Sequence, residues 1–250
     1  MIIAILQARM SSSRLPGKVL KELCGKPMLV HQIERLKRAR CLDHIVLATS
    51  DDGSDDPVAA AGLAAGVTIF RGNLEDVLDR FFQATKLFPE AKHIVRVTGD
   101  CPLLDPQVIE EIVEMHLAGS FSYTSNTLEP TFPDGLDVEV MAKEVLQQAW
   151  EKASSPTERE HVTYYIYSHP EQFKLGCFKG NEDWSGLRWT VDEERDFSFI
   201  QAIYTELYPQ YDNDFSWQEV LKLLKEKPEL QQINQGILRN EGLVKSLQEE

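Results

Sequence analysis

The sequence predicts an α/β fold with a predominantly parallel sheet, a mixed-sheet insertion and a helical C-terminal tail. Three observations lead to this prediction. Short apolar runs alternate with helical patterns four times in the first 118 residues, the order expected of right-handed βαβ units. From residue 119 this regular alternation is lost. From Trp217 onward the pattern is helical, with a break at Pro228.

The first 118 residues supply four predicted strands, each a short apolar run suited to burial on both faces of a parallel sheet. The runs cover residues 2–6, 45–48, 67–70 and 94–97. Helices are predicted between and after them, because Pro27, Pro57 and Pro106 stand where a helix can begin. For the helix before residue 94, Asn73 is the predicted N-cap. Four further strands are expected at residues 121–125, 136–141, 173–178 and 187–191.

The length and hydropathy of the chain limit the class of protein to which it can belong. The 250 residues (28.5 kDa) suffice for one large domain. Residues 57–70 form the longest apolar candidate, and they fall short of the ~18 residues that a membrane span needs. The N-terminus lacks the leading positive charge of a secretory signal. We therefore expect no association with a membrane.

The four cysteines indicate a reducing compartment. They are widely spaced and form no C-x-x-C pair, which argues against a zinc site and a disulfide framework. We therefore expect a cytoplasmic protein. The cysteines are Cys24, Cys41, Cys101 and Cys177.

The charge is unevenly distributed along the chain. The net charge is −14, which argues against nucleic-acid binding. Residues 1–40 nevertheless carry a net charge of +7, and the remaining 210 residues carry −21. A basic segment on an acidic chain indicates an anionic ligand near the N-terminus. The alternative is a solvated helix face, which applies to the four cations from Arg35 to Arg40 rather than to the earlier ones.

The loop after the first predicted strand has the composition of a polyphosphate site. Within residues 7–18 it carries Arg9, Arg14, Lys18 and three consecutive serines. Several cations with amide and hydroxyl donors are what a polyphosphate requires. The loop matches neither the Walker pattern nor Gly-x-Gly-x-x-Gly. A solvated polar loop is the alternative interpretation.

Two acidic residues follow predicted strands and suggest a metal site. Asp100 follows residues 94–97 through Thr98 and Gly99, and Asp192 follows residues 187–191. Carboxylates at strand ends can hold Mg²⁺ against substrate phosphates. The alternatives are a turn-forming aspartate at position 100 and a helix N-cap at position 192.

These segments closely resemble the sugar cytidylyltransferases (CMP-sugar synthetases), most closely the spore-coat polysaccharide biosynthesis branch. The resemblance spans nearly the whole chain in order. One departure is Ser11, where relatives more often have Gly. The matching blocks lie at residues 7–10, 14–18, 25–28, 48–50, 71–72, 77–80, 98–102, 134–139, 159–163 and 190–192.

The resemblance implies a Rossmann-like nucleotidyltransferase fold over residues 1–250. It implies a nucleotide-binding half (1–118), a sugar-binding half that also mediates homodimerisation (119–215), and a helical tail (216–250). The implied reaction joins CTP and an acidic sugar, with Mg²⁺, to give a CMP-sugar and pyrophosphate for surface polysaccharide or glycan biosynthesis.

The resemblance also implies roles for individual residues. Arg14, Lys18 and Asp100 would be catalytic, and Asp100 and Asp192 would hold the metal. Because the loop is not core, replacing Arg14 or Lys18 by Ala is expected to weaken CTP binding with little effect on folding. The implied nucleotide-binding residues are Leu6, Ala8, Arg9, Ser11, Ser12, Ser13, Arg14, Lys18, Arg71, Arg96, Thr98 and Gly99.

Four residues are candidates for the sugar site. Arg159 could pair with a sugar carboxylate, Asp137 follows a turn at Gly135, and Asn126 follows a strand with hydroxyl side chains. His161 is the candidate histidine of this half. The alternatives are a surface ion pair for Arg159 and a packed histidine for His161.

The sequence leaves two other functions open. A glycosyltransferase that uses a nucleotide-sugar would share the fold, but it usually has Asp-x-Asp at the donor site. Here the only such triplet is at residues 212–214, far from Asp100 in sequence. A non-catalytic nucleotide-binding subunit would be expected to lose Lys18, Asp100 or Asp192, and all three are present.

Overall fold

A computed structural model describes residues 1–237 together with Arg239, Leu243, Ser246 and Leu247. Seven strands form the main sheet: β1 Ile2–Gln7, β4 His44–Ser50, β5 Thr68–Gly72, β6 His93–Thr98, β7 Tyr123–Ser125, β8 Glu139–Ala142 and β9 Leu175–Cys177. A separate hairpin pairs β2 Glu22–Leu23 with β3 Lys26–Pro27. The α-helices are α1 Met28–Leu36, α2 Asp56–Ala64, α3 Val77–Thr85, α4 Pro106–Gly119, α5 Lys143–Lys152, α6 Pro156–Glu160, α7 Tyr164–Ser168, α8 Glu194–Tyr211 and α9 Trp217–Glu226. Three short 3₁₀ helices occupy Lys18–Leu20, Gly53–Asp55 and Pro228–Gln232.

The main sheet has the strand order β5-β4-β1-β6-β8-β7-β9. Strand β1 pairs in parallel with both β4 and β6, and β4 pairs in parallel with β5. Strand β8 runs antiparallel to β6 and β7, whereas β9 is parallel to β7. The predicted α/β fold with a predominantly parallel sheet and a mixed part is therefore confirmed.

Strand β1 shows why both faces of the sheet are covered. Its side chains alternate between two buried clusters, with Ala4 and Leu6 in one and Ile3 and Ile5 in the other. All four are fully buried. Because helices pack on both faces of the sheet, every side chain in the middle of β1 must be apolar, which explains the uninterrupted apolar run.

Two local predictions were wrong. Residues 187–191 do not form a strand, because among the described residues their backbone makes only a single parallel bridge, from Arg188 to Asp134. Asn73 does not cap α3. The cap is Asp76, whose side chain accepts the N–H of Asp79. The Asn73 side chain instead accepts the N–H groups of Glu75 and Asp76.

The strands of the second half are shorter than predicted, but they continue the same sheet. The predicted helix from Trp217 ends at Glu226 and is followed by the short helix at Pro228–Gln232. The remainder of the predicted helical tail lies largely outside the described residues. Among the helices that the structure describes, none has both the length and the apolar character needed to cross a bilayer.

Candidate active site

The carboxyl end of β1 lies where the strand order reverses, between β4 and β6. This switch point is where open α/β sheets bind ligands. A cavity of about 510 Å³ lies here, and we call it the first cavity. A second cavity of about 420 Å³ adjoins it over β6 and β8. Both cavities are lined by Arg14, Thr98, Asp100 and Asp192.

The basic loop is anchored by a buried aspartate at the end of β4. Asp55 accepts the N–H of Met10 at 2.7 Å and the N–H of Ser50 at 3.0 Å. Burial opposes ionisation of this carboxyl, but the hydrogen bonds from Met10 and Ser50 outweigh it and lower its pKa. Further along, Gly17 adopts a left-handed conformation (φ 71°) at the start of the short helix that carries Lys18. The loop is therefore held at both ends.

The close approach of β1 and β6 explains the glycine before Asp100. The N–H of Gly99 donates to Gln7 O at 2.7 Å. A Cβ atom on Gly99 would lie 2.8 Å from Ala8 Cβ and 2.9 Å from Gln7 O. Only glycine allows this contact, which places Asp100 at the junction of the two cavities.

Lys18 joins the two acidic residues on which the metal prediction rests. Its Nζ donates to Asp100 at 3.0 Å, to Asp192 at 2.9 Å and to the carbonyl of Val191 at 2.7 Å. Burial would lower the pKa of Lys18, but the two carboxylates outweigh burial and raise it. Burial acts in the opposite direction on Asp100, and Lys18 overcomes it and lowers that pKa to about 2. Lys18 is thus a buried ammonium and not a loop residue outside the core, so we now expect its loss to lower stability as well as CTP binding.

The extended segment at residues 187–191 delivers Asp192 to this place without belonging to the sheet. The N–H of Val191 donates to Asp100 O at 2.8 Å, and that of Trp189 donates to Asp134 O at 2.6 Å. Asp192 is not the helix cap, since Glu193 caps α8 with Asp196 as its capping-box partner. The Asp192 carboxylate instead pairs with Arg14 at 3.0 Å and Arg188 at 2.8 Å.

The donor set suits one divalent cation shared with phosphate. The described residues contain no cluster of three or more His, Cys, Asp or Glu side chains arranged to hold a metal. Two carboxylates, Asp100 and Asp192, converge on one ammonium and line the first cavity. Mg²⁺ is usually bound by one or two carboxylates, with water and phosphate completing the shell. The residues present therefore fit such an ion.

Most of the predicted nucleotide residues lie at the first cavity. Leu6 is fully buried in the core beneath it, and Ser11 is exposed outside it. The predicted residues that line the cavity are Ala8, Arg9, Ser12, Ser13, Arg14, Lys18, Thr98 and Gly99, with Asp100 and Asp192.

Two predicted nucleotide residues lie elsewhere. Arg71 lines neither cavity, because its guanidinium donates to the carbonyls of Ser50 and Asp52 and pairs with Asp56. Arg96 belongs to the second cavity, where it pairs with Glu139 directly opposite on β8. Burial would lower the pKa of Arg96, but Glu139 outweighs burial and raises it.

Two of the four predicted sugar residues line the second cavity, namely Asp137 and His161. Burial raises the pKa of Asp137 to about 7, although Arg239 donates to it at 2.6 Å and opposes the shift. His161 Nε2 lies 3.0 Å from Ser246 Oγ. Burial lowers the pKa of His161, and Glu160 opposes that shift.

The other two predicted sugar residues are structural. Asn126 is buried, and its amide bonds the carbonyl of Leu136 and the N–H of Val138. Arg159 donates hydrogen bonds to both carboxylate oxygens of Asp76 at 2.6–3.0 Å, and it also donates to Trp150 O. Neither residue lines either cavity.

Sequence reasoning missed two arginines. Arg188 pairs with Asp134, Asp192 and Asp196 at 2.8–3.0 Å. Arg80 on α3 is fully buried, and its Nε and Nη2 have no hydrogen-bond partner within the described part of the chain. Burial, reinforced by the charge of Arg9, lowers the pKa of Arg80 to about 10. The Val-Leu-Asp-Arg block was the available signal for Arg80, but an arginine on an amphipathic helix usually faces solvent.

Comparison with known proteins places this arrangement in a family. A cytidylyltransferase family model matches residues 3–243. A protein of Methanocaldococcus jannaschii is 36% identical over 239 residues, which are 94% of this chain and 95% of that protein. The spore coat polysaccharide biosynthesis protein SpsF of Bacillus subtilis is 32% identical over 235 residues, which are 91% of this chain and 95% of SpsF.

A solved structure agrees over nearly the whole chain. A cytidylyltransferase from Leptospira borgpetersenii serovar Hardjo-bovis superposes with a TM-score of 0.88 at 30% identity, covering 95% of this chain and 99% of that one. The fold is therefore the Rossmann-like nucleotidyltransferase fold, and the chain belongs to the cytidylyltransferase family.

Proposed function

We propose that this protein is a CTP:sugar cytidylyltransferase, which joins CTP and an acidic sugar to give a CMP-sugar and pyrophosphate for surface polysaccharide or glycan biosynthesis. The observation that carries the proposal is the pair of cavities that meet at Asp100 and Asp192. One cavity is lined by a loop with cations and hydroxyls, and the other by polar and charged side chains of the second half. Two substrates that react with each other require adjoining sites of this kind.

The first cavity would hold the triphosphate. Arg9, Arg14 and Lys18 offer three positive charges, and Ser12 and Ser13 offer hydroxyl donors. Transfer of a nucleotidyl group depends mainly on positioning and charge stabilisation. In that reaction a sugar hydroxyl attacks the α-phosphorus in line while pyrophosphate leaves, so the loop cations would stabilise the leaving group. Asp100 and Asp192 would hold Mg²⁺, which when bound supplies charge neutralisation at the α-phosphate.

Arg80 is our candidate for the residue that recognises the cytosine base of CTP. Its two unpaired donors, Nε and Nη2, match the adjacent acceptors O2 and N3 of cytosine, whereas N3 of uracil carries a proton. The aliphatic part of Arg80 packs below Gly72, and its Nη1 donates to Asn73 O at 2.8 Å. Arg80 lines neither cavity, so the base would reach it only if the turn at residues 73–76 moved.

Nucleotide binding provides the first test. CTP with Mg²⁺ should raise the melting temperature more than UTP, GTP, ATP or dTTP, because a ligand that binds only the folded state stabilises it by mass action. In Arg80→Lys, which keeps the charge but loses the paired donors, the preference for CTP over UTP should shrink. A clear preference for a purine triphosphate in the wild type would refute the proposal.

The glycosyltransferase alternative finds less support. The only Asp-x-Asp triplet follows α8, where Asp212 adopts a positive φ of 53° and the buried Asn213 donates to His31 O. Neither cavity is lined by this triplet. A non-catalytic subunit is disfavoured because Lys18, Asp100 and Asp192 are all present, and Lys18 contacts both carboxylates.

A further inference from the structure

The second cavity is rich in carboxylates, which repel an anionic sugar. Five acidic side chains line it: Asp100, Asp134, Asp137, Glu139 and Asp192. An acidic sugar can bind here only if some cation retains donors that these carboxylates do not take up. The cations at this cavity differ in this respect.

Three other arginines in this region already pair with its carboxylates. Arg188 uses all three guanidinium nitrogens on Asp134, Asp192 and Asp196. Arg239 does not line the cavity. It donates to Asp137 through Nη2 and to Phe132 O through Nη1, and its Nε lies 3.8 Å from Asp134. Arg14 pairs with Asp192 at the mouth of the first cavity. These groups already neutralise the carboxylates around them.

Arg96 is committed differently. It projects from β6 opposite Glu139 on β8 and bonds that carboxylate through Nη1. Its buried Nε has no hydrogen-bond partner among the residues that the structure describes. Glu139 does not depend on Arg96 alone, since it also accepts the hydroxyls of Tyr123 and Thr163. Arg96 therefore has donor capacity left at the floor of the cavity.

The position of Arg96 also suits a substrate group. Arg96 and Thr98 lie two residues apart on β6, so their side chains share a face of the sheet about 7 Å apart along the strand. Thr98 lines both cavities, whereas Arg96 lines only the second. A group bound at Arg96 would thus belong to the sugar and not to the nucleotide.

We propose that Arg96, held in place by Glu139, receives the carboxylate of the acidic sugar and thereby selects sugar acids over neutral sugars. This inference rests on the proposed function, since it concerns the sugar site of that reaction. A guanidinium fork matches a carboxylate in geometry and charge, and a ligand carboxylate would satisfy donors that are otherwise buried unpaired. Loss of such a charge-assisted bond corresponds to a change of about 10- to 150-fold in binding.

The test compares an acid with its neutral counterpart. The probes are 3-deoxy-manno-octulosonate and a nine-carbon 2-keto sugar acid, each beside its C1 amide, with CTP and Mg²⁺. The variant is Arg96→Gln combined with Glu139→Gln, which removes both charges and leaves no buried ion unpaired. Arg96→Lys is the second variant, which keeps the charge without the fork. The matched control, Arg159→Gln with Asp76→Asn, removes a similar ion pair that lines neither cavity.

The wild type and the control should prefer an acid to its amide, and the double variant should lose this preference through a 10- to 150-fold higher KM for the acid. The KM for CTP should stay within about 2-fold. Arg96→Lys should fall between the wild type and the double variant. If the double variant keeps the preference, the assignment of Arg96 is overturned and the proposed function stands. If the wild type accepts only neutral or amino sugars, or transfers nothing from CTP, the proposed function fails and the inference fails with it.

Discussion

Asp100 and Asp192, which are 92 positions apart in sequence, accept hydrogen bonds from the same ammonium group, Lys18 Nζ, at 3.0 and 2.9 Å. The contact fixes the extended segment before α8 against the end of β6. A second link between the same two segments is the hydrogen bond that the Val191 N–H donates to Asp100 O. The end of one strand, a loop and a non-sheet segment thus form a single charged centre.

The first prediction concerns the metal. Asp100→Asn and Asp192→Asn should each lower turnover roughly 100-fold or more, the scale of losing one preorganised electrostatic group in an active site. Raising the Mg²⁺ concentration should partly restore activity, and the double variant should be little worse than either single one. Pyrophosphate release against Mg²⁺ concentration measures this. Asp183→Asn, an exposed turn residue, is the control. Near-normal turnover in Asp192→Asn would show that Asp100 alone holds the metal.

The second prediction concerns Lys18 as a structural charge. Lys18→Met should lower the free energy of unfolding by on the order of 2–3 kcal/mol, because it leaves two carboxylates facing each other. The cost is below that of a fully buried pair, since the Asp100 and Asp192 side chains are 25% and 21% exposed. Urea unfolding measures the loss. Mg²⁺ or Mn²⁺ should restore more stability to this variant than to the wild type.

The control for Lys18 is Lys21→Met. Lys21 pairs with Glu194 at the surface, so its loss should cost less than about 1 kcal/mol and should not depend on divalent cations. Equal stability of the two variants would contradict the buried-ammonium interpretation.

The third prediction concerns Arg9, which lines the first cavity. Arg9→Ala should weaken CTP binding about 10- to 100-fold through the loss of a charge-assisted contact. The stability of the unliganded protein should change little. Calorimetric titration with CTP measures the affinity, and Arg40→Ala, a cation outside both cavities, is the control. Unchanged affinity in Arg9→Ala would remove this residue from the triphosphate site.

The fourth prediction concerns pH and Asp137. The folded protein holds the proton of Asp137 more tightly than the unfolded chain does, because burial raises its pKa from the ordinary 3.8 to about 7. Its contribution to stability is fully present below pH 3.8 and is lost as the pH rises through 7. Stability of Asp137→Asn should therefore fall less steeply over this range, by at most about 1.4 kcal/mol per pH unit, the limit for one proton. If the free energy of unfolding, measured with urea, depended on pH equally in the wild type and in Asp137→Asn, the raised pKa of Asp137 would be disproved.

The parts of the site that could be predicted follow directly from strand ends. Asp100 follows an apolar run, and the carboxyl end of a parallel strand can face only one edge of the sheet. The cations and serines of the loop after β1 reach the same edge for the same reason. Composition and the predicted strand ends therefore sufficed to predict an anion site at this edge of the sheet.

The rest depended on partners that no local pattern reveals. Arg159 and Arg71 look like ligand-binding arginines, but Asp76 and Asp56, from other parts of the chain, already pair with them. Asn126 stabilises the backbone of a loop that sequence does not position. Residues 187–191 are apolar enough for a strand, yet tertiary contacts with Asp134 and Asp100 hold them outside the sheet. Propensity cannot anticipate such contacts.

Identification of the products tests the central claim most directly. The protein is mixed with CTP, Mg²⁺ and a panel of 2-keto sugar acids and neutral sugars, and the mixture is assayed for pyrophosphate and analysed by mass spectrometry. We predict pyrophosphate and a CMP-sugar in equal amounts with at least one sugar acid, and neither product from Asp100→Asn at the same Mg²⁺ concentration. Transfer of the nucleotidyl group from another triphosphate in preference to CTP, or hydrolysis of CTP without a CMP-sugar, would contradict the account.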